Sequence, residues 1–138
     1  MTYAAAPAAP KLSPERTMVW TGRLLSGLVV AFLLLDAAVK LPPIQPVTDT
    51  MASLGWPTDA GTARMLAALT LGATALYATP RTALLGAILL TAYLGGAVAT
   101  HVRIGSPLFT HSLFGVYLGV TAWAGLWIRD KRLRAILG

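Results

Sequence analysis

The stretch RTALLGAILLTAYLGGAVATHVR, residues 81–103, decides the fold. Between Arg81 and Arg103 no residue carries a formal charge, and as a helix the run is long enough to cross the ~30 Å hydrocarbon layer of a bilayer. Working outward, three further apolar runs of similar kind follow the same pattern. The spacing predicts spans at about 18–40, 62–79, 81–102 and 107–128. Pro42, Pro43 and Pro46 end the first, Thr79-Pro80 reads as the cap and first turn of the third, and Gly105-Ser106-Pro107 separates the third from the fourth. The expected architecture is therefore an all-α membrane protein, an antiparallel bundle of four transmembrane helices forming one domain over residues 16–134.

Charge gives this map a sidedness. Lys11, Arg16, Arg23, Arg81, Arg129, Lys131, Arg132 and Arg134, eight of the eleven Lys and Arg residues, fall on one face of a four-span chain. The positive-inside rule makes that face cytoplasmic, with both termini on it, and the expected address is a bacterial-type inner membrane. The other face receives Asp36, Lys40, Asp49, Asp59, Arg64, His101, Arg103 and His111: it is formally neutral and holds nearly all the titratable chemistry.

Composition narrows the function classes. The chain has 138 residues, 56% of them hydrophobic, and a formal net charge of +6. Such a charge raises nucleic acid as a partner, but here the basic residues cluster at span ends, where anionic lipid headgroups account for them. With no cysteine, thiolate catalysis, disulfide exchange and Cys-ligated metal sites are excluded. No Gly-rich phosphate loop, nucleophile elbow or paired carboxylates at glycosidase spacing is present.

The segments outside the spans have their own signals. Residues 1–15 are Ala/Pro-rich and read as a flexible tail, and residues 129–138 read as a basic tail. The charge-free core of the first span, residues 24–35, has the length of a signal-peptide core, but the long upstream region and the poor cleavage site at Asp36-Ala37-Ala38 argue against cleavage. In the first outer loop, Val47, Met51 and Leu54 fall at helical spacing, with Thr48 as a cap and Gly55 as a stop, predicting a short interfacial helix. Ala68 with Gly72, Ala92 with Gly96, and Gly115 with Gly119 are small pairs four apart, the spacing that lets helices approach closely in lipid.

The candidate ligand-binding residues are Asp36, Lys40, His101, His111, Arg64 and Arg103. Asp36 and Lys40 share one helix face at the outer end of the first span, and a carboxylate in the apolar zone usually faces the bundle interior. A structural pair with an outward-snorkelling lysine is the alternative. His101 and His111 flank the last outer loop near the same depth; histidine moves protons at neutral pH and equally serves as a plain hydrogen bonder. Arg64 and Arg103 are headgroup anchors or anion partners. Tyr77, Tyr93, Tyr117, Phe109 and Phe114 are core or pocket aromatics. Two histidines and one aspartate on separate helices make a weak metal set, so no metal is expected.

Lys40-Leu41, Met51-Ala-Ser-Leu-Gly-Trp-Pro57, Tyr77-Ala-Thr-Pro-Arg81 and Ala99-Thr-His-Val-Arg103 leading to Pro107-Leu-Phe-Thr-His111 appear in an order that resembles the DoxX-like family of small four-span membrane proteins. The resemblance covers Arg16 to Arg134. It implies an accessory membrane subunit: one branch of the family is linked to thiosulfate oxidation with quinone as acceptor, another to oxidative-stress complexes, and eukaryotic relatives to receptor assembly. None of these motifs is a catalytic signature, and a shared fold does not decide function. The expectation is an accessory or ligand-binding subunit of a quinone-linked redox system rather than a stand-alone enzyme, with quinone as ligand, a redox-complex partner or a second copy as protein contact, and the bilayer as solvent. A non-enzymatic assembly factor is the alternative. Small-solute transport is weaker still, since no internal repeat is evident.

Overall fold

The computed structural model describes residues 13–138, and the expected tail lies almost wholly outside them. The helices are α1 (Pro14–Lys40), α2 (Gln45–Ser53), α3 (Ala60–Ala78), α4 (Ala83–Arg103), α5 (Phe114–Arg129) and α6 (Lys131–Leu137), with a π-helical turn, Leu108–Ser112, leading into α5. The four long ones form a ring: α1 packs on α3 and α5, and α4 packs on the same two. Three helical stretches are long and apolar enough to cross a membrane: Pro14–Lys40, Ala83–Arg103 and Leu108–Arg129. α3 has 19 residues but carries Arg64 in its second turn and several threonines, which lower its hydropathy.

The molecule is apolar on both sides of every wall. On α1 the buried residues Gly22, Ser26, Val29, Leu33 and Ala37 make one stripe at helical spacing, while Leu24, Leu28 and Leu35 on the other face are each more than 60% exposed. The outward faces of α4 and α5 continue this surface with Leu85, Ile88, Val116 and Val120. An apolar patch of that extent is incompatible with water and is the expected outer surface in lipid.

Several boundaries differ from the sequence reading, each for a local reason. α1 starts four residues before Met18, because Ser13 accepts the Arg16 backbone N–H at 3.4 Å and Pro14 occupies the first turn. α2 starts before Thr48, because Pro46 fits a first turn as well as it ends a preceding helix; the Thr48 hydroxyl donates to Gln45 O instead. Thr79 closes α3 rather than opening α4. α4 begins at Ala83, and the hydroxyl of its neighbour Thr82 donates back to Leu76 O, tying the turn to α3. The basic C-terminal segment is not a tail throughout: Asp130 caps α6, and Leu133 is buried in the core. Gly55 and Gly105 do stop their helices, at φ +73° and +69°.

Close helix contacts occur at one of the paired glycines, Gly115, and at others outside the pairs. A Cβ on Gly22 would lie 2.8 Å from Arg129 N, one on Gly125 2.9 Å from Ser26 N, and one on Gly86 2.1 Å from Tyr77 N. Gly115 is also tight, 3.0 Å from Leu94 O, whereas Gly72 and Gly96 face open space. Glycine here removes the side chain where backbones meet.

Those contacts surround a polar knot at the basic end. Tyr77 is fully buried; its Oη donates to Ala122 O at 2.7 Å and lies 2.9 Å from Ser26 Oγ. Arg129 Nη2 donates to Tyr77 O at 2.9 Å, satisfying a terminal carbonyl of α3, and its guanidinium sits 5.1 Å over the phenol ring. Tyr77→Phe is expected to lower stability by about 1 kcal/mol in an SDS unfolding titration. An unchanged midpoint would mean that the hydroxyl contributes nothing.

Candidate functional site

At the end of the ring opposite the polar knot, a cavity of about 520 Å³ opens between α1, α4, the π-helical turn and the start of α5, with α2 along one side. The chain connectivity explains its position. Helix Cβ atoms tilt toward the N-terminus, so Lys40, the last residue of α1, reaches back into the bundle rather than out of it. Its Nζ donates to Asp36 Oδ2 at 2.6 Å and to Tyr93 Oη at 3.0 Å. Tyr93 lies two turns below His101 on α4, roughly 12 Å deeper. Side-chain exposures of 17% for Lys40 and 28% for Asp36 put this pair within the wall of the cavity, at odds with the outward-snorkelling alternative.

The two histidines meet across the mouth. Their ring centroids are 5.8 Å apart, with the planes inclined by 58°. His101 Nδ1 is hydrogen-bonded to Ser106 Oγ at 3.0 Å, and His111 Nδ1 to Thr110 Oγ1 at 2.8 Å, so each ring is oriented by a local hydroxyl and Nε2 is the nitrogen left for a ligand. His111 sits in the π-helical turn, where His111 N and Ser112 N both donate to Pro107 O. Such a turn spreads the residues it contains and often occurs at functional sites. Phe32, Phe114, Trp56, Met51 and Leu118 supply the apolar wall, and Phe32 packs on Phe114 with centroids 5.2 Å apart and the rings tilted by 56°.

Of the six candidate residues the structure brings together four, Asp36, Lys40, His101 and His111. The two arginines do not line the cavity. Arg64 Nε donates to Leu41 O at 3.1 Å, and Arg103 Nη2 donates to Leu54 O at 2.7 Å, so they clamp the two ends of the loop that carries α2. Tyr93 is the residue that sequence reasoning placed only among generic aromatics; its position two turns below His101 was the available signal. Phe114 shares the cavity, while Tyr77 is in the polar knot, and Phe109 and Tyr117 face outward. Among the described residues, no three His, Cys, Asp or Glu side chains gather to hold a metal ion.

One further charge has a defined role outside the spans. Asp59 caps α3: the Thr62 hydroxyl and backbone N–H donate to its carboxylate at 2.7 and 2.9 Å, and these bonds hold its pKa below the ordinary value. Because the folded pKa is depressed, the cap contributes at neutral pH and is lost as pH falls below about 4 through the folded value. Asp59→Asn should flatten that acid dependence in a melting series from pH 6 to pH 3, and an identical acid profile would show the cap to be inert.

An apolar exterior, helices that span by length and composition, and polar side chains gathered in a largely apolar cavity at one pole together define an α-helical integral membrane protein. The chain belongs to the DoxX-like family, whose model matches residues 24–125. No curated protein and no solved structure matches the chain.

Proposed function

We propose that this protein is a four-span inner-membrane subunit with its basic end cytoplasmic, and that the cavity at the other end takes a quinone as part of a quinone-linked redox complex. α3 completes the set of spans: Ala63, Ala67, Thr70, Ala73, Thr74 and Tyr77 are buried against its neighbours, and Arg64 at its outer end lies at headgroup depth. α2 then lies in the outer interface, with Met51 directed inward.

The observation that carries the ligand reading is the chemistry of the cavity wall. A quinone needs hydrogen-bond donors at its carbonyl oxygens, a proton source, and an apolar path for its tail. Lys40 donates to the Tyr93 phenol oxygen, leaving the phenol proton for a ligand, and the histidines stand at the mouth, where protons exchange with water. Phe32, Phe114 and Leu118 offer the apolar path.

Menaquinone binding to purified protein, followed by quenching of tryptophan fluorescence, tests the reading. Asp36→Asn, which loosens the hold on Lys40, and His111→Ala, which removes a ring nitrogen at the mouth, should each weaken binding about tenfold, the worth of one hydrogen bond. Folded variants that bind menaquinone as tightly as wild type would remove this site from consideration.

The outward positions of Ala68, Gly72, Ala92 and Gly96 favour a second reading, a scaffold that packs against another membrane protein. It predicts that Gly96→Leu releases a copurifying partner while leaving menaquinone affinity unchanged. Retention of the partner would count against it.

A further inference from the structure

On the outer flank of α4 and α5 a second concavity, about 630 Å³, runs from Gly95 and Val116 toward Trp127. It shares only a wall with the cavity described above: Leu94, Val98 and Gly115 separate the two. Its length along α5, Gly115 to Trp127, is roughly 18 Å. The lining is almost wholly apolar. Trp123 is fixed as its floor, donating from Nε1 to Thr91 Oγ1 at 2.8 Å.

The groove has an open end and a closed end. α6 closes it at the basic pole, where Leu133 and Leu137 contribute to the lining. The same short helix carries Lys131, Arg132 and Arg134; Lys131 pairs with Glu15, while the Arg132 side chain is 75% exposed and lies 3.9 Å from Asp130. The apolar slot thus ends at a helix that also carries three cations.

From this juxtaposition we infer that the α4–α5 groove is a binding site for an anionic glycerophospholipid. One acyl chain lies along Gly95, Val116, Gly119 and Trp123, and the phosphate is held by Arg132 and Arg134 of α6. The acyl chain fills a slot that bilayer lipids otherwise cover loosely, and the headgroup is selected by charge. The site is independent of the quinone reading, since it lies on the other side of the α4 wall.

Native mass spectrometry of protein released from nanodiscs of equal phosphatidylglycerol and phosphatidylcholine tests the assignment. Wild type should carry one phosphatidylglycerol. A Cβ at Gly95 meets nothing within 4 Å and Gly95 lines the groove, so the backbone accepts a side chain there, and Gly95→Leu should abolish the adduct. Gly96→Leu, equally free of contacts but outside the groove lining, should keep it. Arg132→Gln with Arg134→Gln should retain a lipid but lose the preference for phosphatidylglycerol, by about fivefold for each cation removed. The assignment is overturned if wild type carries no lipid or shows no headgroup preference, if Gly95→Leu retains phosphatidylglycerol, or if wild type emerges as a dimer that Gly95→Leu dissociates.

Discussion

Gly86→Ala is expected to be the most damaging small substitution in the chain. The added methyl would lie 2.1 Å from Tyr77 N and 2.4 Å from Tyr77 Cα, and backbone cannot rotate away as a side-chain tip does. Relief requires α4 to move off α3 at the turn where Thr82 Oγ1 is bonded to Leu76 O and Tyr77 anchors the polar knot. The expected loss is ~3 kcal/mol, the upper end of what overpacking costs. It should appear as reduced yield and an early melting transition in detergent. Gly72→Ala is the matched control, since its Cβ meets open space and alanine favours the helix. Equal melting of the two variants would mean that α3 and α4 are not in the contact described.

Lys40→Met should be the most damaging change at the candidate site. It removes the donor to both Asp36 and Tyr93 and leaves a carboxylate in an apolar wall with no cation beside it. Breaking one half of a largely buried pair costs about 3 kcal/mol, chiefly the desolvation of the partner left behind. Replacing both groups by apolar residues of similar volume is often close to neutral. The double variant Asp36→Leu, Lys40→Met should therefore recover most of the lost stability while still failing to bind menaquinone. That pattern separates the two roles of the pair. A double variant that binds menaquinone normally would reduce the pair to a structural element, and one as unstable as Lys40→Met alone would contradict the desolvation argument.

The sequence was most legible where a single segment carries its own signal. The uncharged run before Arg103, Pro42 and Pro43 after Leu41 and the helix-stopping glycines at 55 and 105 read correctly because length, ring closure and positive φ are local properties. Boundaries that depend on which partner a hydroxyl or a proline finds were misjudged. Thr79 and Thr82 divide the α3–α4 turn differently from their sequence appearance because the Thr82 hydroxyl is bonded across the turn. Of the small-residue pairs, Gly115 with Gly119 does face α4, but the other two misled for a related reason: spacing of four shows that two residues share a face, not which face meets a neighbour. Gly72 and Gly96 look outward, while the unpaired Gly22 and Gly86 take the tightest contacts.

The candidate site divides in the same way. Asp36 and Lys40 are one turn apart on one helix, so their pairing follows from α-helical geometry alone. Their direction, inward to Tyr93, depends on how α1 is rotated against α4. The arginines show the converse: Arg64 and Arg103 have the charge expected of ligand partners, but the loop carbonyls of Leu41 and Leu54 lie within their reach and claim them.

By itself, then, the sequence determined the membrane class, the helical segments and the separation of the basic end from the neutral one, because hydrophobic length and charge are additive along the chain. Tertiary structure alone decided which faces meet, that Tyr93 joins the Asp36–Lys40 pair, that the last basic segment folds back as α6, and that two cavities lie on either side of the α4 wall. Those outcomes depend on rotation of each helix about its axis, which is fixed by close backbone approach at a few glycines between segments distant in sequence.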